Sequence, residues 1–161
     1  METIPERIAE KAWQEVAALS MSQAGKEMQK MARNQPDLLA FLMAMTEDLG
    51  ADTKELAVYM AFVVYRIFEG SRHKIKKITS QEIIDCYETN EDLMGRLGSA
   101  GQQFIDRVAQ IQISTQPFVM KYVIDTLIEE PEEEDNDELT DEDKAFLFLL
   151  LKTVVDLLDK R

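Results

Sequence analysis

The sequence predicts an all-α protein, a compact single-domain bundle of about seven helices, three of them largely buried at the centre. Three observations carry that expectation. Apolar residues recur at helical spacing along most of the chain, and no stretch sustains the period-2 alternation of a half-buried strand. Glycine and proline are scarce, six and four among 161 residues, where a sheet-rich chain would need more turn residues. Prolines, short capping motifs and glycines fall where helices should start and stop.

Taken in order, Pro5 is placed as a first-turn proline, with Ile8, Ala12, Val16 and Leu19 following at helical spacing. Met21, Ala24, Met28 and Met31 share one face of a second helix or of a continuation of the first. Gln35 precedes Pro36 and is pushed out of the α region, so a break is expected there. Pro36 suits the first position of "PDLLAFLMAMTEDL", with Gly50 expected just past its end. Asp52 and Glu55 have capping-box spacing before "TKELAVYMAFVVYRIFE", which Gly70 is expected to close. Thr79 and Glu82 repeat that spacing at "SQEIIDCYETNEDLMGRL", with Gly98 behind it. Ser99 is a cap for "AGQQFIDRVAQIQI", Pro117 starts "PFVMKYVIDTLIEE", and Thr140 with Asp143 opens the last helix. The segments starting near Thr53, Pro117 and Thr140 keep only thin polar stripes and belong at the centre. No internal repeat of solenoid length is visible.

Apolar residues make up 45 % of the chain and charged residues 30 %, the balance of a globular protein, and residues 1–161 are expected to form one domain. The single cysteine, Cys86, rules out an internal disulfide framework. A lone thiol fits a reducing compartment, so a cytoplasmic location is expected. The N-terminus has no apolar signal region. The longest apolar runs, "AVYMAFVVY" and "AFLFLLL", fall far short of the roughly 20 residues that span a bilayer.

The net charge of −13 is concentrated: residues 129–143, "EEPEEEDNDELTDED", hold eleven acidic residues and no basic one, leaving −2 for the rest. The overall field disfavours general binding to nucleic acid or to an anionic membrane. Counted as an EF-hand loop from Asp135, the run has Thr140 where a glycine is needed and Phe146 where a glutamate is needed, so that signature fails. The remaining readings are a self-repelling, mobile connector over 131–139, a docking surface made by Glu132, Glu133, Glu134, Asp135, Asp137 and Glu138, or a loose calcium or magnesium contact. The opposite sign gathers at Arg66, Arg72, Lys74, Lys76 and Lys77, around His73. Helix-end electrostatics alone would collect such cations. A partner, a phosphate or a nucleic-acid backbone would also use them, although the cluster lacks interleaved aromatics and a glycine-rich phosphate loop.

No catalytic set stands out. His73 and Cys86 are each single, and Cys86 sits beside Ile83 and Ile84 in a helix, where a buried structural thiol is expected. One histidine cannot supply two Glu-x-x-His motifs, and zinc would need more than one Cys and one His. Glu82, Asp85 and Glu88 or Thr89 share a helix face, a spacing common on solvated faces. The five methionines at 21, 28, 31, 43 and 45, with Trp13 and Phe41, form core or an adaptable contact surface. No cofactor and no metal is therefore expected. The leading expectation is a non-enzymatic protein acting through protein contacts, with self-association of acidic run on basic cluster as one form of it. The alternative is a helical ligand-binding domain or enzyme whose interhelical pocket takes polar tips from Tyr59, Tyr65, Tyr87 and Tyr122.

Overall fold

A computed structural model describes residues 2–71, 74–97, 116–128 and 140–160. All regular structure among them is helical: α1 Glu6–Ala17, α2 Met21–Asn34, α3 Pro36–Met45, α4 Ala51–Ser71, α5 Ser80–Leu97, α6 Pro117–Ile128 and α7 Asp141–Asp159. Gly98 and the helix expected after Ser99 lie outside the described residues, as does the connector over 131–139.

The caps explain most boundaries. Ser20 and Gln23 form a reciprocal capping box, Ser20 Oγ accepting from the Gln23 N–H at 3.1 Å and Gln23 Oε1 from the Ser20 N–H at 3.0 Å. That box makes α2 a separate helix. Gln35 leaves the α region before Pro36, which begins α3. The Thr79 and Thr140 hydroxyls accept from the N–H groups of Glu82 and Asp143, as their spacing foretold.

Three boundaries differ from the sequence expectation. Pro5 is not inside the first turn but one position earlier, with extended backbone (φ −61°, ψ 149°), and its carbonyl accepts from Ile8 and Ala9. Gly50 does not end α3. Thr46 ends it, its hydroxyl donating to the Leu42 carbonyl at 2.7 Å, and the Gly50 carbonyl instead accepts from Lys54 in the first turn of α4. Asp52 therefore lies within that turn, where a carboxylate suits the positive end of the helix. Gly70 does not close α4, which runs on to Ser71; an Arg66–Glu69 pair at 2.9 Å braces its last turns.

Packing follows apolar content. α4 buries nine side chains from Ala57 to Phe68, and α7 buries nearly every position from Leu147 to Leu158. These two helices pack against each other at the centre. α6 buries one face, Val119, Met120, Val123 and Leu127, against α7 and α4. Full burial of a side chain such as Phe68 or Leu158 contributes about 1.5–3 kcal/mol.

Among the described residues the helix contacts repeat once, at half-chain length, a regularity the sequence does not show. α1 packs along α4 as α5 packs along α7; α3 contacts α4 as α6 contacts α7. The burial pattern carries over at most core positions, although Tyr59 is exposed where its counterpart Leu149 is buried. Ile4, Ala9, Ala12 and Val16 correspond to Ile78, Ile83, Cys86 and Asn90, all buried. Gln35, Leu38, Leu42 and Thr46 correspond to Gln116, Val119, Val123 and Leu127, again all buried. On the central helices, Ala57, Met60, Ala61, Val64, Ile67 and Phe68 correspond to Leu147, Leu150, Leu151, Val154, Leu157 and Leu158.

The halves are joined crosswise. Gln35, before Pro36, donates from Nε2 to the Lys76 carbonyl at 3.0 Å and accepts at Oε1 from the Ile78 N–H at 2.9 Å. Gln116, before Pro117, donates to the Glu2 carbonyl at 3.0 Å and accepts from the Ile4 N–H at 2.9 Å. Each glutamine is fully buried and grips the extended segment leading into the first helix of the other half. The aromatic contacts follow the same exchange: Phe41 of α3 meets Tyr87 of α5 edge-on, centroids 5.5 Å apart, and Tyr122 of α6 lines one crevice with Trp13 of α1. Such a reciprocal exchange is what a two-fold relation produces.

Candidate functional site

Seven cations of the described chain converge through packing that sequence order hides. α1 brings Arg7 and Lys11 against the C-terminal part of α4, and α2 adds Lys30. Between them lies an open groove of about 670 Å³, with Arg66, Glu69 and Gly70 from α4 on its floor and Glu15 at its edge. A second hollow of about 380 Å³ shares Lys30 and Glu69 with the first and adds Arg33, Lys74 and Lys77 around Tyr65 and Asn34. The two hollows share Lys30 and Glu69, and this cationic channel is lined by seven cations and two carboxylates, with Glu27 behind Arg66 as a third.

Local structure positions each part. Arg7 and Lys11 are one turn apart on α1, and Lys30 and Arg33 are one turn apart on α2, so each pair shares a face. Lys74 and Lys77 are carried by the non-helical stretch before α5, which Gln35 holds through Lys76 and Ile78. Of the five cations expected from sequence, Lys74, Lys76 and Lys77 are exposed, and Arg72 lies outside the described residues. Arg66 is committed within the fold: its guanidinium bridges Glu27 of α2 at 3.3 Å and Glu69 at 2.9 Å. Tyr65 accepts from the Asn34 amide at 3.4 Å, and burial pushes its phenol pKa up, so the hydroxyl stays a neutral donor beside the channel. The four cations that sequence reading missed, Arg7, Lys11, Lys30 and Arg33, carry an i,i+3 or i,i+4 signal; which helix faces meet is a tertiary fact.

The equivalent place in the second half is built differently. A groove of about 530 Å³ between α5 and α7 is lined by Glu82, Asp85, Cys86, Asn90, Asp156, Asp159 and Lys160, among others. Beneath it is a hydrogen-bonded cluster. The Asn90 amide donates to the Thr153 hydroxyl and the Asp156 carboxylate, both at 3.1 Å. The Lys152 ammonium donates to the Asn90 carbonyl oxygen at 3.0 Å and to Asp156 at 2.7 Å. The Cys86 thiol lies 3.8 Å from the Thr153 carbonyl, and burial, with Asp156 nearby, pushes its pKa up. A thiol held protonated is a poor nucleophile.

The other candidates disperse. Tyr65 lines the cationic channel and Tyr87 packs on Phe41. Tyr122 lies under α1, its pKa raised by burial and by Tyr59. Met31 is buried, Met28 and Met45 are half-buried, and Met21 and Met43 are exposed, so these methionines form no single face. His73 and the six acidic candidates Glu132, Glu133, Glu134, Asp135, Asp137 and Glu138 lie outside the described residues. Among the described residues, no group of three or more His, Cys, Asp or Glu is placed to hold a metal ion, and no helix is long and apolar enough to cross a membrane. Comparison with protein-family models, curated proteins and solved structures finds no match for this chain.

Proposed function

We propose that the protein is a non-catalytic contact module whose cationic channel receives an acidic segment of a protein partner. The observation that carries this reading is the channel itself, six cations besides the Arg66 that Glu27 and Glu69 already pair, on a chain whose net charge is −13. A strongly acidic protein that keeps one continuous cationic surface repels general polyanions at long range and accepts an acidic group locally. The channel is open, so an acidic group on a protein surface can reach it. The high-pKa Cys86 thiol and the dispersed tyrosines support a contact role over a catalytic one. A cytoplasmic location belongs to the same reading, since the only cysteine is free and buried.

The test is a fluorescence-anisotropy titration with a labelled glutamate-rich peptide over a salt series. Binding at low salt that weakens steeply as salt rises is expected. Lys30→Glu with Arg33→Glu should weaken it at least tenfold. No binding at low salt, or binding indifferent to that double reversal, would overturn the reading.

A further inference from the structure

For the helix pairs α1–α4 and α5–α7 the half-chain repeat supplies an internal control, and by that control the two equivalent grooves are opposite in sign. The α1–α4 pair lines the first with three cations and two carboxylates; the α5–α7 pair and Lys160 line the second with four carboxylates and one cation. Position by position, Lys11 of α1 corresponds to Asp85 of α5, and Arg66 of α4 corresponds to Asp156 of α7. Along the exposed side of α5, Asp85, Glu88 and Asp92 stand where α1 and its end carry Lys11, Gln14 and Ala18. The fold does not require this acidity, because the first half builds the same helix pair without it.

Resting on the contact role proposed above, we propose that the acidic partner of the cationic channel is a second copy of this chain, presenting its α5–α7 face. The two faces occupy equivalent positions on the two halves. In this dimer the cationic face of each copy meets the acidic face of the other, so the two contacts are identical by symmetry. Rim charges of this kind steer encounter and fix register, so the dimer is salt-sensitive.

Sedimentation velocity of the full chain over a concentration series, at low and at high salt, tests the inference. A monomer–dimer equilibrium at low salt that shifts at least tenfold toward monomer at high salt is expected. Lys11→Glu with Lys30→Glu should abolish the dimer, as should Asp85→Lys with Asp92→Lys; all four side chains are exposed, and circular dichroism checks that both variants fold. Mixed together, the two monomeric variants should pair, because one now carries two acidic faces and the other two basic ones. A chain that stays monomeric at every concentration while still binding the glutamate-rich peptide would overturn this inference and leave the contact role standing. Loss of both would overturn both. A dimer untouched by either reversal uses another surface and also overturns it.

Discussion

The two halves solve the same packing problem with different chemistry. Where α1 meets α4, the contact is made by Ala12, Val16, Phe62 and Val63; where α5 meets α7, the corresponding positions are Cys86, Asn90, Lys152 and Thr153. The helices nonetheless make equivalent contacts and bury most of the same positions, Phe62 against half-buried Lys152 being an exception. Burial pattern and helix boundaries thus specify this fold, while residue identity within the interface is free to vary. A polar cluster is the costlier choice, because every member must keep its partner. Its presence in one half alone points away from stability as its reason.

The largest expected effects break the feature the halves share. Gln35→Ala and Gln116→Ala each strand a part-buried carbonyl and a buried N–H of the opposite half. At about 1–3 kcal/mol for each stranded group, either variant should lose roughly 3–5 kcal/mol in urea denaturation. Gln116→Ala should be the worse, since Asp159 also loses a donor at 2.7 Å. A tolerated substitution at one site and a severe one at the other would break the equivalence.

The next comparison separates the two interfaces. Asn90→Ala should cost about 2–4 kcal/mol, because Lys152 loses an acceptor and Thr153 and Asp156 each lose a donor. Val16→Ala, its counterpart, removes two methyl groups and should cost about 1–2 kcal/mol. Replacing Asn90, Lys152 and Asp156 together by Val, Met and Leu should recover most of the loss, since the carboxylate leaves with both of its donors and Thr153 keeps its bond to the Leu149 carbonyl. If the triple variant is no better than Asn90→Ala, the cluster is not the isolated unit its hydrogen bonds describe.

A smaller effect should appear at alkaline pH. Burial raises the Cys86 pKa above 9.0, the unfolded value. The thiol's contribution is therefore complete below about pH 9 and is lost as pH climbs through the higher folded value, because the unfolded chain sheds its proton first. Tyr65, Tyr87 and Tyr122 act in the same direction above pH 10. Cys86→Ala, which copies Ala12, should remove the earliest part of that decline in pH-dependent thermal unfolding. An unchanged profile would place the alkaline sensitivity elsewhere.

The fold was legible because its signals are local. Pro36, Pro117, Thr79 and Thr140 marked helix starts through backbone chemistry that needs no partner. The errors at Gly50 and Gly70 came from treating glycine as a stop, when a threonine hydroxyl ended α3 and an Arg–Glu pair carried α4 onward. The repeat stayed hidden because it is written in burial: Val16 and Asn90 are equivalent in place and opposite in polarity. Of the cationic channel, Arg66, Lys74 and Lys77 were visible as a run, whereas Arg7, Lys11, Lys30 and Arg33 arrive by helix packing. No pattern along a chain states which faces of α1, α2 and α4 will meet.

The smallest stability effect concerns the acidic run, and the repeat changes what that run means. Residues 46–50 join α3 to α4 in the first half, whereas residues 129–140 join α6 to α7 in the second. Matching Thr46 to Leu127 and Ala57 to Leu147 leaves nine extra residues between, in the stretch that holds Glu132 to Glu138. The first half shows that the connection closes without them. Deleting 130–138 keeps the Thr140 cap and restores the shorter spacing, so unfolding free energy should change by no more than about 1 kcal/mol, the scale of loop-closure entropy over such a length change. Relief of like-charge repulsion acts in the same stabilising direction. A loss above about 2 kcal/mol would show that the insertion supports the fold and would break the equivalence of the halves. With stability unchanged, the deletion also apportions the acidic surface. Dimerisation that survives it assigns the contact to the α5–α7 face, and dimerisation that weakens with it assigns a share to the inserted carboxylates.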